Sequence, residues 1–130
     1  MVLIARLDRN LGIVKGDVIS IRRTITGVPN GVTLSKAWLT VKALVTDLDA
    51  AATFQKEVNS SGVIGIGQIE DTAATSRIAR LRFDLSATNT DDLEDGYVYD
   101  IQVLTTEGGI ITVEKGIVGS IIEQVTEDDT

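Results

Sequence analysis

Of the 130 residues, 14 are valine, 15 isoleucine and 15 threonine, so 44 side chains branch at Cβ. Such side chains lose rotamer freedom in a helix and suit a pleated surface. No long stretch places its apolar residues at helical spacing. Twelve glycines are scattered along the chain, as turns and bulges require. The reading is all-β. With five aromatics in total, the core must be built mainly from Val, Ile and Leu. The length suits one domain that buries a core without cross-links.

Period-two alternation locates the strands. Residues 2–8 form the first, with Leu3, Ala5 and Leu7 on one face, and Asn10-Leu11-Gly12 turns the chain. Residues 18–26 place Ile19, Ile21 and Ile25 inward and Ser20, Arg22 and Thr24 outward. Gly27-Val28-Pro29-Asn30-Gly31 is a loop. Residues 36–46 place Ala37, Leu39, Val41, Ala43 and Val45 inward. Residues 47–52 form a loop or a helical turn, and short strands follow at 54–58 and 63–69. Residues 76–85 place Ala79, Leu81, Phe83 and Leu85 inward. The acidic connection 86–96 leads to a strand at 97–104 with Tyr97, Tyr99, Ile101 and Val103 on one face. Thr105-Thr106-Glu107-Gly108-Gly109 makes a hairpin turn. Residues 110–125 form one long or broken strand with kinks expected at Gly116 and Gly119. Seven to nine strands at this spacing predict a sandwich or barrel. Residues 1–126 are read as the domain and 127–130 as an acidic tail that frays.

The chemistry open to this chain is narrow. It has no cysteine and no histidine. That removes thiol nucleophiles, Cys-based metal sites and the usual general base. No cofactor and no metal is expected. The net charge is −7, which argues against nucleic acid or an anionic membrane as partner. That charge is localised. Asp91, Asp92, Glu94 and Asp95 lie in one connection, and Glu123, Glu127, Asp128 and Asp129 near the end; the other eleven acids face twelve cations. No signal peptide is read at the N-terminus, because Arg6, Asp8 and Arg9 interrupt the apolar start.

Leu93-Glu94-Asp95-Gly96-Tyr97-Val98-Tyr99 sets a tyrosine six residues after a leucine at a strand entry. This spacing resembles the tyrosine corner of immunoglobulin-like Greek-key β-sandwiches, with Leu93, Gly96 and Tyr99 in the structural roles. The Tyr99 hydroxyl is then expected to bond back to the upstream loop. The wider run is Asp91-Asp92-Leu93, Gly96-Tyr97-Val98-Tyr99-Asp100-Ile101-Gln102-Val103, Gly109 and Gly116-Ile117-Val118, ending near Val125-Thr126. It resembles virion proteins of tailed phages, in particular the immunoglobulin-like N-terminal domain of baseplate upper proteins. Gly16-Asp17-Val18-Ile19-Ser20-Ile21 resembles that family's start, and Ala37-Trp38-Leu39-Thr40-Val41-Lys42 its third strand.

The resemblance implies a bacteriophage virion building block without chemistry of its own, made in the bacterial cytoplasm and located in the virion. Its partners would be other phage structural proteins and further copies of itself. Members of that family usually continue into further domains, whereas this chain ends soon after Thr126. A small subunit of the tail, baseplate, neck or head surface is therefore expected. The alternative is a carbohydrate-binding or adhesion module with the same fold, which would need paired exposed aromatics such as Trp38 and Tyr97.

Several groups are candidates for contact. Trp38 alternates outward beside Thr40 and Lys42, either as an interface anchor or covered within the subunit. Arg80 and Arg82 share one outer strand face, and Arg22 and Arg23 lie on another strand. They are solvated faces or a landing site for Glu127, Asp128 and Asp129 of a neighbouring copy. Gly62-Val63-Ile64-Gly65-Ile66-Gly67 lacks the Lys-Ser/Thr of a phosphate loop and reads as a bulged or edge strand. The 91–95 acids lack calcium-loop spacing. Asp84, Asp100 and Glu114 are the carboxylates on which any hydrolytic pair would draw.

Overall fold

The computed structural model describes residues 7–11 (backbone alone), 13, 15–44, 46, 51–74 and 77–119. In chain order these form β1 (Leu7–Leu11), β2 (Ile19–Ile25), β3 (Leu34–Lys42), β4 (Phe54–Val58), β5 (Gly67–Thr72), β6 (Ala79–Leu85), α1 (Ala87–Asp91), β7 (Val98–Thr105) and β8 (Ile110–Val118). One sheet has the order β1-β8-β7-β3-β4 and the other β2-β6-β5. Every neighbouring pair is antiparallel except β1 and β8, which run parallel. The β3–β4, β5–β6 and β7–β8 connections stay within a sheet, and the other strand connections cross between sheets. This is an all-β, immunoglobulin-like sandwich.

The core follows from alternation. Ala37, Leu39 and Val41 of β3 and Ile101 and Val103 of β7 are buried on one inner face. Ile21 and Ile25 of β2, Ile69 of β5, and Ala79, Leu81, Phe83 and Leu85 of β6 are buried on the other. These are the inward sets that period two selects. Each full burial of a residue of Leu or Phe size contributes about 1.5–3 kcal/mol.

The boundaries differ where long-range pairing decides them. The third strand stops at Lys42 and Ala43 is exposed, because Lys42 pairs with Val98 at the start of β7 and Val41 with Phe54 at the start of β4. Among the described residues the strand register ends at these pairs. Asn10 and Leu11 do not turn; they pair with Ile117 and Val118 of β8. Residues 63–66 form a tight turn, and strand geometry begins only at Gly67. Gly116 causes no kink, since it pairs with Tyr99 inside β8. The irregularity sits earlier, where Ile101 faces Glu114 but Gln102 faces Thr112. Val113 is therefore the extra residue of a β-bulge. Leu3, Ala5, Val45 and everything from Ser120 onward lie outside the described residues.

The acidic connection contains a helix that composition does not announce. Ser86 caps α1: its Oγ accepts from the Asn89 amide at 3.2 Å, and Asn89 Oδ1 accepts from the Ser86 amide at 2.9 Å. Asn89 takes the place that Glu or Gln holds in the commonest capping box. Thr90 is buried and donates its hydroxyl to the Asp17 carbonyl at 2.8 Å, tying the helix to the turn before β2. Ser86→Ala is expected to cost about 1 kcal/mol and to lower the melting temperature by about 4 °C, measured by circular dichroism.

Candidate functional site

The bulge in β8 aims two consecutive side chains, Val113 and Glu114, at the interior, and Glu114 is 2% exposed. Across the sandwich Arg23 alternates inward with Ile21 and Ile25. Its Nε donates to Glu114 Oε1 at 2.7 Å and its Nη2 to Oε2 at 3.2 Å. The Tyr99 hydroxyl donates to the same Oε2 at 2.7 Å. One carboxylate thus joins β2, β7 and β8 across both sheets. Burial pushes the Tyr99 hydroxyl well above the usual tyrosine range, and its bond to Glu114 adds to that. For Arg23, burial is the largest single influence and works against the charge, but the hydrogen bond and charge of Glu114, with a contribution from Tyr99, together outweigh it, so the guanidinium is held above its ordinary value.

This arrangement corrects the tyrosine-corner expectation in part. Leu93 is buried, Gly96 turns at φ +89° and the Tyr99 ring is in the core, as that motif needs. The hydroxyl, however, goes to Glu114 rather than to the upstream backbone. A charged acceptor brought close by the bulge is a stronger partner than a carbonyl. Arg23 is likewise no solvated strand residue, since its side chain is 19% exposed.

The outer face of the three-stranded sheet carries the other arginines. Arg82 Nη1 lies 3.1 Å from Glu70 and its Nε 3.1 Å from Asp84, which also accepts from Ser20 Oγ at 2.7 Å. Arg80 is 3.4 Å from Asp71, and Arg22 is 3.9 Å from Glu70. Arg22 and Arg82 face each other directly in the register, and Glu70 offsets the repulsion between them. Arg80 and Arg82 are therefore paired within the subunit, each exposed pair contributing about 0–1 kcal/mol. As a landing site for acids this face is already occupied. Glu127, Asp128 and Asp129 lie outside the described residues.

The outer face of the five-stranded sheet is different. Trp38 is half-buried there and donates Nε1–H to Glu57 Oε1 at 2.9 Å, across the β3–β4 pair. Its polar end is satisfied within the chain, while part of the ring stays accessible. Beside it Gln55 Nε2 donates to Thr40 Oγ1 at 2.8 Å. Towards the start of β7 the face sinks into a groove of about 320 Å³ lined by Thr40, Lys42, Val98, Asp100, Lys115 and Ile117 among others. Ile110 and Ile117 are both more than half exposed on this sheet. Tyr97, by contrast, packs against the core, so it does not pair with Trp38 on a ligand face.

The remaining candidates do not assemble into chemistry. Asp84 lies on the outer face of the small sheet, Asp100 in the groove and Glu114 between the sheets, so the three acids do not converge. Within residues 62–67 the amides of Val63, Ile66 and Gly67 are spent on backbone carbonyls at 3.0–3.1 Å rather than offered to a phosphate. Glu94 pairs with Lys15 at 3.0 Å. Among the described residues no group of three or more acids is placed to hold a metal ion.

No protein-family model matches the chain, and no curated protein matches it in sequence. Among solved structures, the crystal structure of CopC from Methylosinus trichosporium OB3b is similar, at 13% identity and a TM-score of 0.36, covering 98% of this chain and 100% of that one.

Proposed function

We propose that this chain is a non-enzymatic bacteriophage virion protein that works by protein–protein contact in a multi-copy assembly. The observation that carries this reading is the contrast between the two outer faces. The small sheet neutralises its own charges. The large sheet presents Trp38, Val98, Leu104, Ile110 and Ile117 partly or largely open, next to a groove with charged sides. A face of partly open aromatic and aliphatic side chains with a polar rim is what a protein partner covers. The run from Asp91 to Val118 that resembles phage virion proteins supports the phage context.

The test is mass spectrometry of virions purified from the strain that carries the gene. The chain is expected in many copies per particle, and Trp38→Ala combined with Ile110→Ser is expected to reduce its incorporation at least ten-fold while leaving its melting temperature within a few degrees. Absence from purified particles overturns the reading.

A further inference from the structure

The loop between β2 and β3 carries a reactive pair at its tip. Val28 and Val32 are buried on either side of that tip. Val28 N donates to the Arg77 carbonyl at 3.2 Å, and Arg77 Nε donates to the Val28 carbonyl at 3.0 Å. Between these anchors Val32 N donates to the Pro29 carbonyl at 3.1 Å and closes a turn. Of its two central residues only Gly31 has a positive φ, +83°, as a type II turn requires. Asn30 and Gly31 project from the turn, and both are exposed. Among the described residues no hydrogen bond engages the Asn30 carboxamide or the Gly31 amide. A Cβ built on Gly31 would have nothing within 4 Å, so the space around this residue is open.

The chain's other asparagines, Asn10, Asn59 and Asn89, are placed differently. Asn59 Oδ1 accepts from Ser61 N at 2.8 Å. Asn89 Oδ1 accepts from the Ser86 amide at 2.9 Å, and the amide that follows it, Thr90 N, donates to the Ser86 carbonyl at 3.1 Å. Asn10 precedes a leucine inside β1. Asn30 alone is followed by glycine, which has no side chain to crowd its own amide nitrogen. At Asn59 and Asn89 one or two hydrogen bonds must also break before the carboxamide can be attacked, which slows such a reaction about ten-fold.

We propose that Asn30 is a modification site at which the folded protein deamidates without an enzyme. Hydroxide removes the Gly31 amide proton, and the nitrogen attacks Asn30 Cγ. The N–Cγ bond forms, the Cγ–Nδ2 bond breaks, and ammonia leaves with a proton taken from water. A second water then opens the cyclic imide at either of its carbonyl carbons. Breaking the new N–Cγ bond leaves aspartate at this position. Breaking the original peptide bond leaves isoaspartate, in which the main chain runs through the side chain. Either product adds one negative charge to the net −7. Isoaspartate also lengthens the main chain inside a turn whose two ends, Val28 and Val32, are held in the core. The site depends on nothing in the virion reading.

The test ages the full chain in neutral and in mildly alkaline buffer and follows it by tryptic peptide mapping with mass spectrometry. Each asparagine falls in its own peptide, residues 10–15, 24–36, 57–77 and 83–115. The 24–36 peptide is expected to gain the mass difference between a hydroxyl and an amino group, in two chromatographic forms. It should do so about ten-fold faster than the 57–77 and 83–115 peptides, and faster still as the pH rises. Asn30→Gln should abolish the change in this peptide and leave the other three as they were. Gly31→Ala, which keeps the carboxamide, should slow it several-fold. Unchanged melting temperatures confirm that both variants fold. The chain unfolded in urea and aged in parallel serves as the clock. Equal rates at Asn30 and Asn89 in the folded chain overturn the proposal. So does a 24–36 peptide that stays unreacted in the folded chain once the unfolded chain has reacted fully.

Discussion

Glu114→Ala should lower the unfolding free energy by about 3–5 kcal/mol, the cost of removing one partner from a buried ion pair. The substitution leaves Arg23 with a charge that is four-fifths buried and no carboxylate to receive it. It also strips the buried Tyr99 hydroxyl of its 2.7 Å acceptor. Both losses fall on the junction of β2, β7 and β8, so urea unfolding should show a large drop in midpoint with the slope retained. The variant with Arg23→Met, Tyr99→Phe and Glu114→Leu together should recover much of the loss, because apolar groups of similar volume need no partners. A fall of less than 1 kcal/mol in Glu114→Ala alone would show that the cluster is not what joins the sheets.

Gly67→Ala should cost about 3 kcal/mol for two reasons that act together. The residue sits at φ +132°, where L side chains are strained, and a Cβ there overlaps the Arg82 carbonyl oxygen and comes within 3.0 Å of Phe83 Cα. Relief requires β5 to draw away from β6, which should appear as faster amide exchange at Gln68, which pairs with Arg82 of β6. Gly65→Ala is the control. It lies two residues away at φ +83° with nothing within 4 Å of the added methyl, so only the local strain of about 1–2 kcal/mol remains. Equal losses in the two variants would remove the close approach as the cause.

How far the sequence carries depends on whether the deciding partner is near in the chain. The inner faces of β3, β6 and β7 are legible because period two needs only the strand itself: Leu39, Phe83 and Ile101 are buried as read. The outward placement of Trp38 and Lys42 follows from the same rule. What Trp38 bonds does not, since Glu57 becomes its neighbour only through the β3–β4 register. The bulge at Val113 is the clearest loss. Nothing in Thr112-Val113-Glu114-Lys115 marks the extra residue, so the inward turn of Glu114, and with it the partners of Arg23 and Tyr99, stays hidden. The helix α1 had a visible signal in Ser86 and Asn89, but with Asn in place of Glu or Gln the capping box is easy to pass over.

The parallel union of β1 and β8 has a mechanical meaning. Five residue pairs, from Leu7 with Glu114 to Leu11 with Val118, align the first described strand beside the last. Because the strands run in the same direction, tension entering before Leu7 and leaving after Val118 pulls them in opposite senses along their length. The bridging hydrogen bonds are then loaded in shear and must fail together, whereas an antiparallel pair pulled open from one end yields one bond at a time. A subunit built this way meets a pull along its own chain with a whole row of bonds rather than with one bond at a time.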